Sequence, residues 1–320
     1  MRGLTVKAVA GAVVLMMCAT PFKNAEARSI NDALGKTTFS WLKAAHDAEI
    51  AAGGETMAAR DGHAGLLVHP AAIAGLSEST LKLSYVSHYV DTQFGTIGYA
   101  RRVNGRDLGV RISYVNYGEF VRTDRQGQRL GTFSAGDIGL SFNVARQLRE
   151  DLKVGAMLSY YSSKLDDFSA QAVAADFGLL YNPPFQGLTV GATLMNLGTV
   201  TKSYSSDYTD VLPLTFVAGA RKELSHAPIT LMADAIFPND SDIAFAFGIE
   251  LNMRDTFFIR AGSRSRSKID TEIMKANTDY SGIQTFGFGV VLQGYRFNYA
   301  FCPDDALEDV HKATLSVSIP

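Results

Sequence analysis

Residues 137–145 read Asp137-Ile138-Gly139-Leu140-Ser141-Phe142-Asn143-Val144-Ala145, with Ile138, Leu140, Phe142 and Val144 falling between Asp137, Gly139, Ser141 and Asn143. A period of two is the signature of a strand with one apolar and one polar face. The same alternation recurs downstream. Leu152, Val154, Ala156, Leu158 and Tyr160 form one such row, Val173, Ala175, Phe177, Leu179 and Tyr181 another, and Phe286, Phe288, Val290 and Leu292 a third.

Extending this reading outward predicts about 14 strands, at roughly 80–89, 92–103, 106–117, 132–147, 150–163, 169–182, 186–197, 212–223, 227–237, 242–252, 255–265, 280–292, 294–302 and 310–319. Most are longer than the ~5–6 residues of an ordinary soluble strand. They match the ~9–11 residues that a tilted strand needs to cross a bilayer. Connections alternate too. Short turns, such as 252–255 and 293–294, are expected on one side. Longer polar stretches, at 118–131, 162–169, 198–211, 238–242, 263–279 and 303–309, are expected on the other. Short periplasmic turns and longer external loops are the pattern of an outer-membrane barrel. The expected fold class is therefore all-β, a transmembrane antiparallel barrel with an N-terminal plug.

Composition agrees with this once the alternation is known. The chain has 320 residues, 47% hydrophobic and 19% charged, with 29 Gly and 32 Phe plus Tyr. Mean hydropathy is only +0.04, because each lipid-facing residue is followed by a lumen-facing one. A net charge of −2 argues against a nucleic-acid partner.

Three domains are expected. Residues 1–27 read as a secretory signal: Arg2 and Lys7 precede an apolar stretch from Ala8 to Ala19, and Ala25-Glu26-Ala27 supplies the small cleavage residues. Residues 28–79 do not alternate and are Ala-rich, which suits a plug or hatch inside the lumen. Residues 80–320 form the barrel. Export with strand-only membrane crossing places the protein in the outer membrane of a Gram-negative bacterium.

Tyr160, Tyr181, Tyr295 and Tyr299 are candidates for the interfacial aromatic girdles. On the polar face lie Arg111, Asp176, Asp234, Glu250, Arg260 and Arg296 as lumen-lining candidates. A strand-interior charge facing lipid is costly, so these should point inward. Their balanced signs favour a ladder of ion pairs filling a mostly closed lumen over a selectivity lining. Catalytic and cofactor signatures are absent. The six His show no metal-ligand spacing, and there is no G-x-S-x-G or P-loop. The protein is expected to be no enzyme. His88 with Asp91 reads as a solvated loop pair, and Asn239-Asp240-Ser241-Asp242 and Asp304-Asp305 as acidic turns. Arg264, Arg266 and Lys268 fall in an external loop, where lipopolysaccharide phosphates are one partner and plain solvation the simpler reading.

Several segments together resemble the PorV/PorQ family, which is related to FadL-type barrels. They are Thr38-Phe-Ser-Trp-Leu-Lys43, Gly53 and Gly54 with Ala59-Arg60-Asp61, and His69-Pro70-Ala71-Ala-Ile-Ala-Gly-Leu76. The resemblance continues through Ile112-Ser-Tyr-Val-Asn-Tyr-Gly118, Gly131-Thr-Phe-Ser-Ala135, Lys164-Leu-Asp-Asp-Phe-Ser169, Met195-Asn-Leu-Gly198, Leu212-Pro-Leu214 and Phe297-Asn-Tyr-Ala-Phe301. The tract Lys222-Glu-Leu-Ser-His-Ala-Pro228 is closer to the PorQ branch. The resemblance implies a 14-strand barrel whose hatch motif includes Gly53, Gly54, Asp61, His69, Pro70 and Ala71. It also implies a part in type IX-like secretion or surface attachment, with secretion-system proteins and sorting-domain cargo as partners. The FadL relatives imply the alternative, a transporter that admits a hydrophobic ligand through the barrel wall. Two departures stand out: His69 replaces the family's Asn, and the chain ends Ile319-Pro320 rather than in an aromatic residue.

Overall fold

A computed structural model describes residues 37–205, 210–265, 282–303 and 309–319. The leader read at 1–27, residues 28–36, and Arg266, Lys268, Asp304 and Asp305 lie outside the described residues.

The strands are β1 (Ser79–Ser87), β2 (Gln93–Val103), β3 (Arg106–Thr123), β4 (Arg129–Arg149), β5 (Leu152–Leu165), β6 (Phe168–Tyr181) and β7 (Leu188–Lys202). There follow β8 (Thr215–Glu223), β9 (Ile229–Pro238), β10 (Ala244–Met253), β11 (Phe257–Ser265), β12 (Gly282–Leu292), β13 (Tyr295–Cys302) and β14 (Val310–Ile319). Each pairs antiparallel with its neighbour in sequence. β1 closes on β14 from Ser79 opposite Ile319 to Ser87 opposite His311. Closure removes the open sheet edges that lipid does not tolerate.

The residues of 137–145 show why this is a membrane barrel. Ile138, Leu140, Phe142 and Val144 are 40–48% exposed, whereas Asp137, Ser141 and Asn143 are 4–8% exposed. The usual order is inverted: apolar side chains look outward and polar ones inward. Leu83, Ile97, Ile112, Leu158, Phe177, Phe247, Ile259 and Phe286 continue the outer belt. Water would not tolerate so continuous an apolar surface, and hydrocarbon would.

Two long loops read from the sequence are instead strand. Much of 118–131 and 162–169 continues β3, β4, β5 and β6 beyond the belt, leaving tight turns at 124–128 and 166–167. Cross-strand pairs hold these extensions. Phe120 and Phe133 stack with centroids 5.3 Å apart, and Arg122 pairs with Asp166. Their polar composition reflects position outside the bilayer and carries no information about pairing.

Residues 37–78 run through the lumen. They form a 3-10 turn (Ser40–Lys43), helix α1 (Ala48–Ala52), helix α2 (Gly62–Gly65) and a second 3-10 turn (Pro70–Ile73). Local capping sets these elements. Asp47 accepts the Glu49 N–H at 2.8 Å and Asp61 accepts the Gly62 N–H at 2.7 Å. His69 Nδ1 accepts the Ala71 N–H at 3.2 Å ahead of Pro70. The imidazole thus caps this turn. The direction is fixed at both ends. Thr38 N–H donates to Val211 O at 3.1 Å in the β7–β8 connection, and Lys43 pairs with Asp240 at 2.7 Å in the β9–β10 connection. At the short-turn end Asp61 pairs with Lys153 at 2.6 Å, and Gly75 N–H donates to Asp107 at 2.9 Å. The segment therefore descends from the outer mouth to the periplasmic mouth before entering β1.

Candidate functional site

The lumen is the site, and the hatch divides it. Residues 47–60 are all buried, and their backbone is met by wall side chains. Asp234 on β9 accepts the N–H groups of Met57 and Ala58 at 2.6 and 2.8 Å. Thr314 on β14 accepts the Ala48 N–H at 2.9 Å, and Thr285 on β12 accepts that of Gly54 at 3.1 Å. Such partners are obligatory for short irregular backbone removed from water. Gly54, at φ +72°, abuts the Phe247 carbonyl, and a side chain there has no room. Gly191 on β7 likewise lets the Ala58 carbonyl approach the wall.

A buried ion network pins α1. Arg260 on β11, 1% exposed, donates to Glu250 at 2.6 Å and to Asn298 at 2.8 Å, and reaches Glu49 of α1 at 3.4 Å. Lys82 on β1 pairs with Asp47 and donates to the His63 carbonyl at 3.0 Å. Desolvating such charges costs several kcal/mol per ion, so each must be matched. Lys312 donates to the Ala45 carbonyl at 2.9 Å, and Arg264 pairs with Glu55.

The six lumen-lining candidates all stand on inward-facing positions, in three places. Arg111 donates to Leu67 O at 2.6 Å and to Ser141 at 3.2 Å, Asp176 accepts the Asn196 N–H at 2.6 Å, and both line the outer half of the lumen. Asp234, Glu250 and Arg260 hold the hatch. Arg296 lies over the Phe258 ring at 5.0 Å, in the periplasm-facing vestibule. Of the hatch candidates, Gly54, Asp61, His69 and Ala71 act as described. Gly53 O accepts from Thr56 at 2.9 Å, and Pro70 O accepts from Asn143 at 3.1 Å.

Arg264 is a correction to the sequence reading. It is no external-loop residue: it sits on β11 with the inward parity of Arg260, and its ion pair with Glu55 removes it from any surface phosphate. Lys82 and Lys312 join the inward-facing set although the sequence reading names neither. Their signal is present, because both alternate with outward residues in 81–85 and 311–315. Asp240 is tied to Lys43. The His88 ring packs on Tyr89 and Phe94.

On the periplasmic side of the hatch is a polar vestibule of about 520 Å³, lined by Arg60, Arg221, Arg260, Arg296, Glu49 and Glu250 among others. On the outer side is a partly open chamber of about 80 Å³ between hatch and wall. Trp41, Leu42, Met57 and Val68 of the hatch and Tyr161, Met195, Val217 and Ile236 of the wall make it mainly apolar. Beside the chamber the β6–β7 ladder breaks. Between the pairs Ala175–Leu197 and Phe177–Leu194, Asp176 faces two residues, Met195 and Asn196, and Asn196 has φ 60°. This is a β-bulge, a device that re-aims side chains and interrupts pairing.

Fold, belt and hatch together define an outer-membrane β-barrel of a Gram-negative bacterium. No family model and no curated protein matches the chain. Among solved structures, the Pseudomonas putida toluene transporter TodX superposes with a TM-score of 0.60 at 14% identity, over 85% of this chain and 97% of that one. The CymD monoaromatic hydrocarbon channel does so at 0.56 and 14%, over 85% and 96%. A Pseudomonas aeruginosa FadL homologue follows at 0.52 and 10%, over 85% and 98%. These neighbours are FadL-family outer-membrane barrels, and the chain shares their fold.

Proposed function

We propose that the protein is a non-enzymatic outer-membrane channel for small hydrophobic molecules, with the hatch as its gate. The apolar chamber between hatch and wall carries this reading. A polar lumen filled only for rigidity has no use for a chamber lined by Trp41, Met57, Tyr161, Met195 and Ile236 beside a bulged wall. Hydrocarbon transport by TodX and CymD, as their names state, supports the same substrate class. At about 80 Å³ the chamber is smaller than the ~150 Å³ apolar cavity that holds benzene in an engineered protein. Passage of a ring therefore requires side chains of the hatch to move.

Deletion of the gene tests this. Initial uptake of labelled toluene by intact cells should fall several-fold and recover on complementation. Unchanged uptake overturns the proposal. The PorV/PorQ-like motifs support a second reading, a component of type IX-like secretion or attachment. It is tested in the same strain by surface display of sorting-domain cargo, which this reading expects to be lost.

A further inference from the structure

Arg101, Arg106 and Arg146 stand on the outer face of the barrel at its periplasmic end. Arg101 on β2 has the outward parity of Ile97 and pairs with Leu108 on β3. Arg106 on β3 and Arg146 on β4 come one step beyond the inward pair Asp107–Ala145, toward the short turns, so they are outward neighbours on adjacent strands. All three are exposed. Like charges beside each other on neighbouring strands repel, and the local acids do not answer them. Asp107 is bound by Arg102 at 2.8 Å and Asp151 by Arg149 at 2.9 Å. Among the described residues no carboxylate, Glu150 of the β4–β5 turn included, forms an ion pair with Arg101, Arg106 or Arg146. Their surroundings are apolar: Arg106 pairs with Val103 and Arg146 with Val154, and Val144 and Phe142 carry the lipid-facing belt upward along β4.

We propose that Arg101, Arg106 and Arg146 hold the headgroup of an anionic phospholipid of the periplasm-facing leaflet, with its acyl chains on the belt above. The cations stand where the apolar belt ends, which is the level of a lipid phosphate. Guanidinium groups fit that phosphate because their forked donors match its oxygens in pairs. A second negative charge on the headgroup favours an anionic lipid over a zwitterionic one, as basic residues beside a bilayer do in general. The end of the barrel selects the leaflet. The turn between Val103 and Arg106 lies on the side where the hatch meets the wall through Gly75 and Asp107, opposite the long connections that face lipopolysaccharide. The site is separate from the lumen, so it stands whatever the channel carries.

Native mass spectrometry of the full-length barrel in detergent tests this, with phosphatidylglycerol and phosphatidylcholine of identical acyl chains as the probes. The first phosphatidylglycerol is expected to bind about fivefold tighter than the first phosphatidylcholine. In the triple variant Arg101→Gln, Arg106→Gln, Arg146→Gln that preference should fall close to unity. A control with the same change in charge at the other end, Arg122→Gln, Arg125→Gln, Arg129→Gln, should keep it. All these side chains are exposed, and assembly of both variants is checked by heat-modifiable migration. Equal binding of the two lipids by the native barrel overturns the proposal. So does a preference that survives in the first variant, or one lost equally in the control; the arginines then serve solvation or an acidic periplasmic protein.

Discussion

Arg260 on β11 and Glu49 in the hatch helix α1 meet 3.4 Å apart in the middle of the lumen, each almost wholly buried. Glu250 on the adjacent strand holds the same guanidinium at 2.6 Å. The wall thus presents a pre-oriented cation to the hatch, and the hatch answers with one carboxylate. Removing one member leaves the others buried and unmatched.

Arg260→Met is therefore expected to cost about 3–5 kcal/mol, the range for breaking a buried ion pair. Glu49→Gln should cost less, since Arg260 keeps Glu250. Urea unfolding of the barrel followed by loss of heat-modifiable migration checks the order. Equal, near-zero effects would contradict the network's role.

Gly54 and Gly191 are contact points where the hatch backbone touches the wall. Gly54→Val and Gly191→Val should leave the barrel assembled but dislodge the hatch. Planar-bilayer recording is expected to show frequent large conductance bursts in both variants and small, rare ones in the native protein.

Acid should loosen the hatch. Burial holds His46, His63 and His69 at about 4, below the ordinary 6.5. The released segment then binds more protons than the docked one, so docking is fully stabilised above pH 6.5 and weakens as pH falls toward 4. At pH 5 the loss is up to about 1–2 kcal/mol per imidazole. Burial raises the Glu49 carboxyl, but the Arg260 and Lys82 cations outweigh it and hold the group below its usual range. Its contribution is present above pH 4.5 and lost below, in the same direction. Hydrogen exchange across residues 46–69, corrected for intrinsic rates, should accelerate between pH 6.5 and 4 while the strand amides stay protected.

Asp176 stands in for a missing rung of the β6–β7 ladder by accepting the Asn196 N–H at 2.6 Å. Asp176→Ala should raise exchange of the amides of residues 174–177 and 194–198 at least tenfold, with little change on the opposite wall. Uniform exchange across the barrel would show that the bulge is no local weak point.

Much of the barrel is legible in the alternation itself. Ile138, Leu140, Phe142 and Val144 announce the lipid face, and the parity that puts Asp137 inward also puts Arg260, Arg264, Lys82 and Lys312 there. Arg264 is misread only because the polar residues around it resemble a loop. Polar residues beyond the bilayer look alike whether paired or not, which also hides the extensions of β3–β6. The hatch contacts are another matter. Asp234 meeting Met57, or Gly191 meeting Ala58, joins residues far apart in the chain, and no local period encodes them. The outer chamber is hidden for the same reason, since Trp41 and Tyr161 meet there from distant parts of the chain.

The central claim is that the chamber beside the hatch lies on the path of a hydrophobic substrate, and Ser113→Phe tests it most directly. Ser113 faces into the chamber from β3 and is buried, so phenylalanine there fills the space. A deletion strain complemented with this variant, assembled at native levels, is predicted to take up toluene no faster than the deletion strain itself. Full restoration of uptake by Ser113→Phe would contradict the account.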